Sequence, residues 1–390
     1  MANNRSLATK PSISGDIGTQ INVESPGRIN LIGEHTDYNG GFAMPTAIDK
    51  KIYLQFQKNS TSDLCRIFST TYNTGFEFSL DKTFEKTSGW EDYVLGVVNE
   101  LKALGCDLNG FDCIIESELP VGAGISSSAA LECGIASGLN SLFNLGLSKM
   151  DIVRLSQRAE NNFVGNQCGI MDQFSSVMSK KGHIGLLDCQ NLDFEFIPAH
   201  FGNCKLLLLN TNVSHNLANS DYNNRREECE MAVEIIKKDL PKVNSLRDID
   251  FAVLEKYQQV LEPKIYQRCL YVLNENKRVK KAAEALRSGN LRNFGQLMYK
   301  SHEGLQQNYE VSCPELDFLV EFSRDKDFIY GSRMMGGGFG GCTINLIEEN
   351  EIDPYIAEVS KAYFEKFGIK LDTINVSPGE GTIISKRSLA

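Results

Sequence analysis

Ser25-Pro26-Gly27-Arg28-Ile29-Asn30-Leu31-Ile32-Gly33-Glu34-His35-Thr36-Asp37-Tyr38-Asn39-Gly40-Gly41 is the most informative stretch of the chain. A guanidinium, two carboxylates, an imidazole and an amide crowd around a short apolar run, Ile29 to Ile32, fenced by glycines. Glu34 to Asn39 has neither the alternation of a half-buried strand nor the apolar stripe of a helix. A loop so dense in hydrogen-bonding groups, carried by a rigid strand, is where binding residues sit. Donors and acceptors of both charge signs in one small patch suit a polyhydroxylated ligand, whose hydroxyls each give and take a hydrogen bond.

Two glycine-rich segments lie further along. Leu119-Pro120-Val121-Gly122-Ala123-Gly124-Ile125-Ser126-Ser127-Ser128-Ala129-Ala130 opens into a helix with Leu131, Ile135, Leu139 and Leu142 at helical spacing. Small residues let the backbone approach a ligand, and the free N–H groups of a first helical turn favour a phosphate, with serine hydroxyls as further donors or a magnesium ligand. A glycine turn with a serine N-cap is the plainer alternative. Gly-Lys-[Ser/Thr] is absent, so this is not a Walker A loop. The second segment, Met334-Met335-Gly336-Gly337-Gly338-Phe339-Gly340-Gly341, contains G-x-G-x-x-G, but a strand (Cys342 to Leu346) follows where a dinucleotide fold requires a helix. Close approach to a ligand or to the other half's loop explains so many glycines, and a tight structural turn is the alternative.

Around these segments the chain reads as an ordinary globular protein of 390 residues, with 42% hydrophobic and 23% charged residues, long enough for two cored domains. A net charge of -10 argues against nonspecific binding to nucleic acid or anionic membranes. Eleven scattered cysteines, without Cys-x-x-Cys or a His/Cys cluster, fit reduced thiols in a cytoplasm and exclude a zinc framework. Met1 to Gln20 has no apolar core of a secretory signal and reads as a poorly ordered arm, and no apolar run is long enough to span a membrane.

Strand-like runs (Ile52 to Phe56, Phe111 to Ile115, Gly185 to Leu187) mix with helical ones (Glu91 to Leu104, and from Ser127) up to about residue 200. Beyond Phe201 we expect a buried strand at Lys205 to Leu209 and a charged amphipathic helix at Asn223 to Leu240, with Cys229, Ala232, Val233 and Ile236 on one face. Helices at Lys277 to Ser288, Pro314 to Ser323 and Pro354 to Phe367 follow, with the strand Cys342 to Leu346 between them. Without a strict βαβ rhythm the class is α+β in both halves. The expected division is an arm (1–20), an N-terminal domain (21–200) and a C-terminal domain (201–390), closely packed with a cleft between the halves.

Taken together, the segments resemble the GHMP small-molecule kinases, and Arg28 to Asn39 is similar to the signature of their galactokinase branch, Gly-Arg-x-Asn-Leu-Ile-Gly-Glu-His-Thr-Asp-Tyr-Asn. Pro120 to Ala130 resembles the family's ATP loop, Ser332 to Cys342 its third glycine motif, and Cys168-Gly169-Ile170-Met171-Asp172-Gln173-Phe174 its catalytic-aspartate segment. Asn210 to Arg226 and Glu310 to Asp317 are also similar, so the likeness runs from about residue 21 to 386. It implies a ribosomal-protein-like N-terminal domain and a ferredoxin-like C-terminal domain with the active site between them. It also implies transfer of the γ-phosphoryl of ATP to the anomeric hydroxyl of α-D-galactose, with Mg²⁺, by a cytoplasmic monomer.

By the same resemblance Asp172 and Arg28 are catalytic. The carboxylate accepts the hydroxyl proton late, which suffices for a loose phosphoryl-transfer transition state, and the guanidinium stabilises developing charge. Glu34, His35, Asp37 and Tyr222 carry over as sugar-hydroxyl ligands, with Asn39 and Gly169 lining the pocket. A charged or amide acceptor aimed at each hydroxyl rejects epimers by leaving a buried group unpaired. Gly122, Ala123, Gly124, Ile125, Ser126, Ser127, Ser128 and Ala129 carry over as ATP-binding. Ser127 and Glu160 match the magnesium ligands, and Trp90 with Tyr93 the segment packed on adenine. Taken singly, Asp172 reads as a helix cap, His35 as a satisfied core histidine, Tyr222 as a helix-end residue, Glu160 as a solvated charge and the aromatic pair as core.

The chain departs from the pattern at Ile125 (leucine expected), Ser25 (alanine), Met335 (threonine) and the turn Ser377 to Gly381. Met335 removes a hydroxyl near the expected nucleotide. An N-acetylgalactosamine kinase of the same family is the nearest competing reading, disfavoured because Thr36-Asp37-Tyr38-Asn39 keeps the galactose form. A non-catalytic galactose sensor is disfavoured by the intact Gly122 to Ala130 loop and Arg28/Asp172 pair.

Overall fold

The computed structural model describes residues 5–7, 10–11, 19–120, 122–214 and 218–388. Its strands are β1 (Arg5–Leu7), β2 (Thr19–Asn30), β3 (Phe42–Ala43), β4 (Pro45–Lys58), β5 (Leu64–Ser69), β6 (Thr74–Ser79), β7 (Phe111–Ser117), β8 (His183–Asp188) and β9 (Phe194–Pro198), then β10 (Cys204–Ser214), β11 (Ile329–Met334), β12 (Gly340–Glu348), β13 (Asp372–Val376) and β14 (Ile383–Ser388). The helices are α1 (Glu91–Ala103), α2 (Ser127–Phe143), α3 (Lys149–Arg158), α4 (Met171–Met178) and α5 (Ala218–Lys237), then α6 (Phe251–Lys256), α7 (Pro263–Arg287), α8 (Leu291–Gly304), α9 (Pro314–Arg324) and α10 (Ile352–Phe367).

Seven strands form one sheet in the order β1-β6-β5-β7-β4-β2-β14, antiparallel except for the β5/β7 pair. A four-stranded antiparallel sheet, β11-β12-β10-β13, serves the second half, and β3-β8-β9 make a small third sheet. Helix α2 lies so close on the large sheet that a Cβ at Gly138 would come within 2.1 Å of the Phe56 ring. The four-stranded sheet is buried on both faces. Leu206, Leu208, Ile344 and Leu346 join the core shared with the first half, whereas Leu207, Leu209 and Ile347 pack under α9 and α10 with Leu319, Tyr355, Val359 and Tyr363. A core continuous across both halves holds the walls of the intervening cleft rigidly.

The α+β architecture agrees with the pattern read from the sequence. The expected apolar face of α5, Cys229, Ala232, Val233 and Ile236, is buried in a helical cluster with α7 residues. The expected arm is only partly outside the described residues: Arg5–Leu7 pairs with β6, and β2 already begins at Thr19. A boundary at 200/201 also leaves out one crossing, because β14 returns from the second half and pairs along β2, Ile383 opposite Glu24. Helix α7 begins 14 residues before the helix expected at Lys277 to Ser288, with Pro263 at its first turn, where a missing N–H costs nothing.

Candidate active site

A bulge in the pairing of β2 with β4 sets up the site. The register slips between Pro26 and Arg28, and burial stops alternating, so Ser25 to Asn30 are all buried. The extra residues lie on β4, where Ile48 to Lys50 stand opposite Gly27 alone and re-set the pairing that follows. Gly27 is a glycine because a Cβ there would strike Leu119 at 2.8 Å and the Ile125 carbonyl at 2.9 Å. Arg28 then points from the strand end to α4. Its Nε donates to Asp172 Oδ1 at 2.7 Å and Nη2 to Oδ2 at 2.9 Å, while Nη1 donates to the Gly124 carbonyl at 2.5 Å. Burial alone would make this guanidinium easier to deprotonate, but attraction to Asp172 and Glu34 outweighs it and raises the Arg28 pKa. Asp172 is the second residue of α4, whose N-cap position belongs to Ile170; its carboxylate is spent on Arg28 and not on capping.

The loop before α2 lacks the serine cap of the plainer alternative. Ser126 occupies the N-cap position in a left-handed conformation (φ 54°) and makes no side-chain cap. Its hydroxyl donates instead to Asp172 Oδ2. The first-turn N–H groups of a 17-residue helix are thus left without a side-chain cap, beside the catalytic candidate, as an anion site requires. The third glycine segment closes on the same loop: Gly336 (φ 83°) would place a Cβ 3.2 Å from the Gly124 carbonyl, and Gly338 (φ 85°) one 2.1 Å from that of Val311. Loop-to-loop approach is the reason for these glycines. Met335 is buried in the core, so its lost hydroxyl does not face the cleft.

Helix α7 fixes the loop that follows Arg28. Glu275 Oε1 accepts from the Gly33 N–H at 2.9 Å, Asn276 Oδ1 from the Phe42 N–H at 2.9 Å, and the Tyr271 hydroxyl donates to the Glu34 carbonyl at 3.0 Å. Glu34 is 2% exposed, and its Oε1 accepts both from Arg333 Nη2 at 2.7 Å and from the Gly336 N–H at 2.8 Å. His35 stands at φ 60°, and both its ring nitrogens are engaged within the protein. The Gly337 carbonyl, 3.1 Å from Nε2, can only accept, so Nδ1 accepts from the Tyr38 hydroxyl at 2.7 Å. Burial lowers the His35 pKa to about 3, so the ring is neutral. Asp37 goes the other way, pushed up to about 7 by burial and by the negative charge of Asp172. The Tyr222 ring packs against His35 with centroids 5.3 Å apart and lines the cleft, its phenol pKa raised by burial.

Two expected pocket residues stand elsewhere. Asn39 is buried behind the loop, its Nδ2 donating to the His35 carbonyl at 2.9 Å, and it shapes the loop without lining the main cleft. Gly169 borders a side cavity; a Cβ there would lie 2.0 Å from Asp37 Oδ2, so its role is to admit that carboxylate. Ala129 is fully buried within α2. Trp90 packs on Phe76 and Tyr72, and of the aromatic pair only Tyr93 reaches the cleft.

Glu160 lies on a π-turn, Ala159–Val164, that extends α3 and re-aims one side chain into the cleft. It accepts from Asn166 Nδ2 at 2.9 Å, Gln173 Nε2 at 2.6 Å and the Ser128 hydroxyl at 3.2 Å, so the serine bonded to it is the neighbour of Ser127. Burial raises the pKa of Glu160, and that of Glu132 behind it is raised by burial and by Glu160. Among the described residues no group of three or more metal-ligating side chains is gathered, so a divalent cation here would take one carboxylate, Glu160, with a serine hydroxyl beside it, and its remaining ligands from phosphate and water.

These groups surround one cleft of about 430 Å³ between the halves. Its walls are Arg28, Glu34, His35 and Asp37 on one side, Gly122 to Ser128 with Glu160 on another, and Tyr222 with Gly336 to Phe339 across from them. Sequence reasoning missed Asn166, Val164 and Met171 in the lining, and Arg333 behind Glu34. A lone arginine inside an otherwise apolar strand, Ser332-Arg333-Met334-Met335, was the available signal for the last.

Comparison with known proteins identifies the family. The GHMP kinases N terminal domain matches residues 92–180, the galactokinase galactose-binding signature residues 16–58, and the GHMP kinases C terminal domain residues 282–365. A galactokinase of Thermosipho africanus is 40% identical over 93% of this chain and 99% of its own length. One of Staphylococcus saprophyticus is 40% identical over 94% and 96%. The crystal structure of Lactococcus lactis galactokinase complexed with galactose superposes with a TM-score of 0.89 at 32% identity, over 93% of this chain and 95% of that one. Methanococcus jannaschii mevalonate kinase, at 22% identity and a TM-score of 0.66, shares the fold. By its sequence along nearly its whole length, and by its fold, the chain belongs to the galactokinases of the GHMP kinase family.

Proposed function

We propose that this chain transfers the γ-phosphoryl group of ATP to the anomeric hydroxyl of α-D-galactose, giving galactose 1-phosphate and ADP. The observation that carries the reading is the two-pronged Arg28–Asp172 pair, set where a polar loop meets an uncapped helix N-terminus. Phosphoryl transfer asks the protein chiefly for alignment and charge stabilisation. Asp172 orients the anomeric hydroxyl and takes its proton as the O–P bond forms. Arg28, locked in plane by Asp172 and the Gly124 carbonyl, faces the charge on the transferring group. Gly122 to Ser128 receive the phosphates.

Glu34, Asp37 and Tyr222 present the sugar-binding groups. His35, whose ring is already committed, contributes the shape of the loop. Ser127 and Glu160 would hold Mg²⁺, which would supply neutralisation of phosphate charge, and Tyr93 faces the nucleotide base. Every residue proposed for the site comes from one chain, which supports action as a monomer, and eleven free thiols support a reducing cytoplasmic location. Among the described residues no helix is long and apolar enough to cross a membrane. Purified protein with ATP, Mg²⁺ and a panel of hexoses tests the proposal: ADP release follows galactose and is poor with glucose. No ADP release with galactose would sink the enzyme reading.

A further inference from the structure

Arg333 touches no part of the cleft, yet it is among the largest fully buried side chains in the molecule. An arginine at 0% exposure must satisfy its donors inside the protein, and the partners it has chosen all belong to two segments, Asn30 to Glu34 and the end of β11, that lead into the loops facing each other across the site. Nε donates to the Leu31 carbonyl at 2.8 Å, and Nη2 to the Asn30 carbonyl at 2.6 Å and to Glu34 Oε1 at 2.7 Å. Nη1 donates to the Met334 carbonyl at 2.8 Å, at the root of the third glycine segment. The same Glu34 oxygen also accepts from the Gly336 N–H, and one residue on, His35 Nε2 donates to the Gly337 carbonyl. Two successive residues of the first half are therefore bonded to two successive glycines of the second, with Arg333 bracing the joint from behind.

We infer that Arg333 is a positioning residue for the sugar, holding the Glu34 carboxylate by one oxygen so that the other meets a galactose hydroxyl in a fixed orientation. Three of its four bonds fall on the sugar loop and one on its own loop, so the consequence of weakening it is borne by galactose more than by ATP. A lysine keeps the charge but cannot span four acceptors lying in different directions.

The inference rests on galactose being the substrate, and the test separates the two claims. Kinetics of wild type, Arg333→Lys, Glu34→Asp and the double variant give KM for each substrate and kcat, with a thermal melt to establish folding. Arg333→Lys raises KM for galactose roughly tenfold, the loss expected for a charge-assisted bond, and leaves KM for ATP within about threefold. Adding it to Glu34→Asp gives clearly less than the product of the single effects, since one works through the other. Equal rises in both KM values, or multiplicative effects in the double variant, overturn the inference. In the wild type itself the Arg333 side-chain ¹⁵N resonance resists solvent exchange and moves on addition of galactose. A resonance that galactose leaves unmoved overturns the inference even where the lysine variant fails to fold. Wild-type protein that does not turn over galactose refutes the substrate reading instead.

Discussion

Neighbouring loop residues Asp37 and His35 respond to burial in opposite directions, and the pair sets a measurable pH signature. The Asp37 carboxyl keeps its proton in the folded protein up to about 7, whereas the unfolded chain releases it near 3.8, so its contribution to stability falls as pH rises from 4 to 7. His35 stays neutral when folded down to about 3 but takes a proton near 6.5 when unfolded, so its contribution is present above 6.5 and is lost as pH falls. Between pH 4 and 6.5 the slopes oppose each other. Asp37→Asn leaves only the histidine, and its unfolding free energy should climb more steeply with pH than that of wild type across that interval. Urea unfolding at half-unit pH steps checks this, and parallel curves would contradict it. At this scale the sequence was a good guide to which residues gather at the site and a poor one to what each does. Glu34, His35, Asp37 and Asn39 sit in one loop whatever their roles, but only the fold reveals that the His35 ring is spent on Tyr38 and the Gly337 carbonyl and the Asn39 amide on the loop itself.

Regular elements were legible where local pattern and tertiary need agreed. Helices α1, α2, α9 and α10 begin or end within two residues of where capping, proline and apolar spacing put them. The bulge opposite Gly27 and the π-turn that carries Glu160 were not legible, because each is a short local departure from a regular element whose cause is a distant contact. Close backbone approach is another such cause. On α8, a Cβ at Gly295 would come within 1.8 Å of the Tyr330 carbonyl on β11, and Gly331 faces Gly295 in return. Gly295→Ala should therefore destabilise the protein by ~1–3 kcal/mol, as overpacking does, despite the better helix propensity of alanine. A lower melting temperature reports the cost, and a rise would show that α8 moves away freely. In the third glycine segment, Gly336→Ala forces a side chain into a left-handed backbone 3.2 Å from Gly124. It should raise KM for ATP with little loss of thermal stability, as read by paired kinetics and melting.

For the molecule as a whole, the two halves are interlocked and not merely adjacent. After β13 the chain returns to the first half: the Gly379 N–H donates to Ala47, Gly381 to Ser179 and Thr382 to Ser176, before β14 closes the sheet along β2. Those contacts clamp α4, and with it Asp172, against the large sheet. A fragment of residues 1–200 should accordingly lack a cooperative unfolding transition, and removal of residues 379–390 from the full chain should lower both melting temperature and turnover. A fragment that melts cooperatively would refute the clamp. The sequence offered no hint of this return, since an edge strand of exposed Ile383 and Ile384 with basic residues reads as a surface tail. The central claim is that one carboxylate, held by Arg28 and Ser126 between the sugar loop and the α2 N-terminus, carries the chemistry. It is tested most directly by Asp172→Ala, assayed for galactose 1-phosphate formation by ³¹P NMR and for galactose binding by calorimetry. Abolished product with binding still detectable is the predicted result, and persistent turnover would contradict the account.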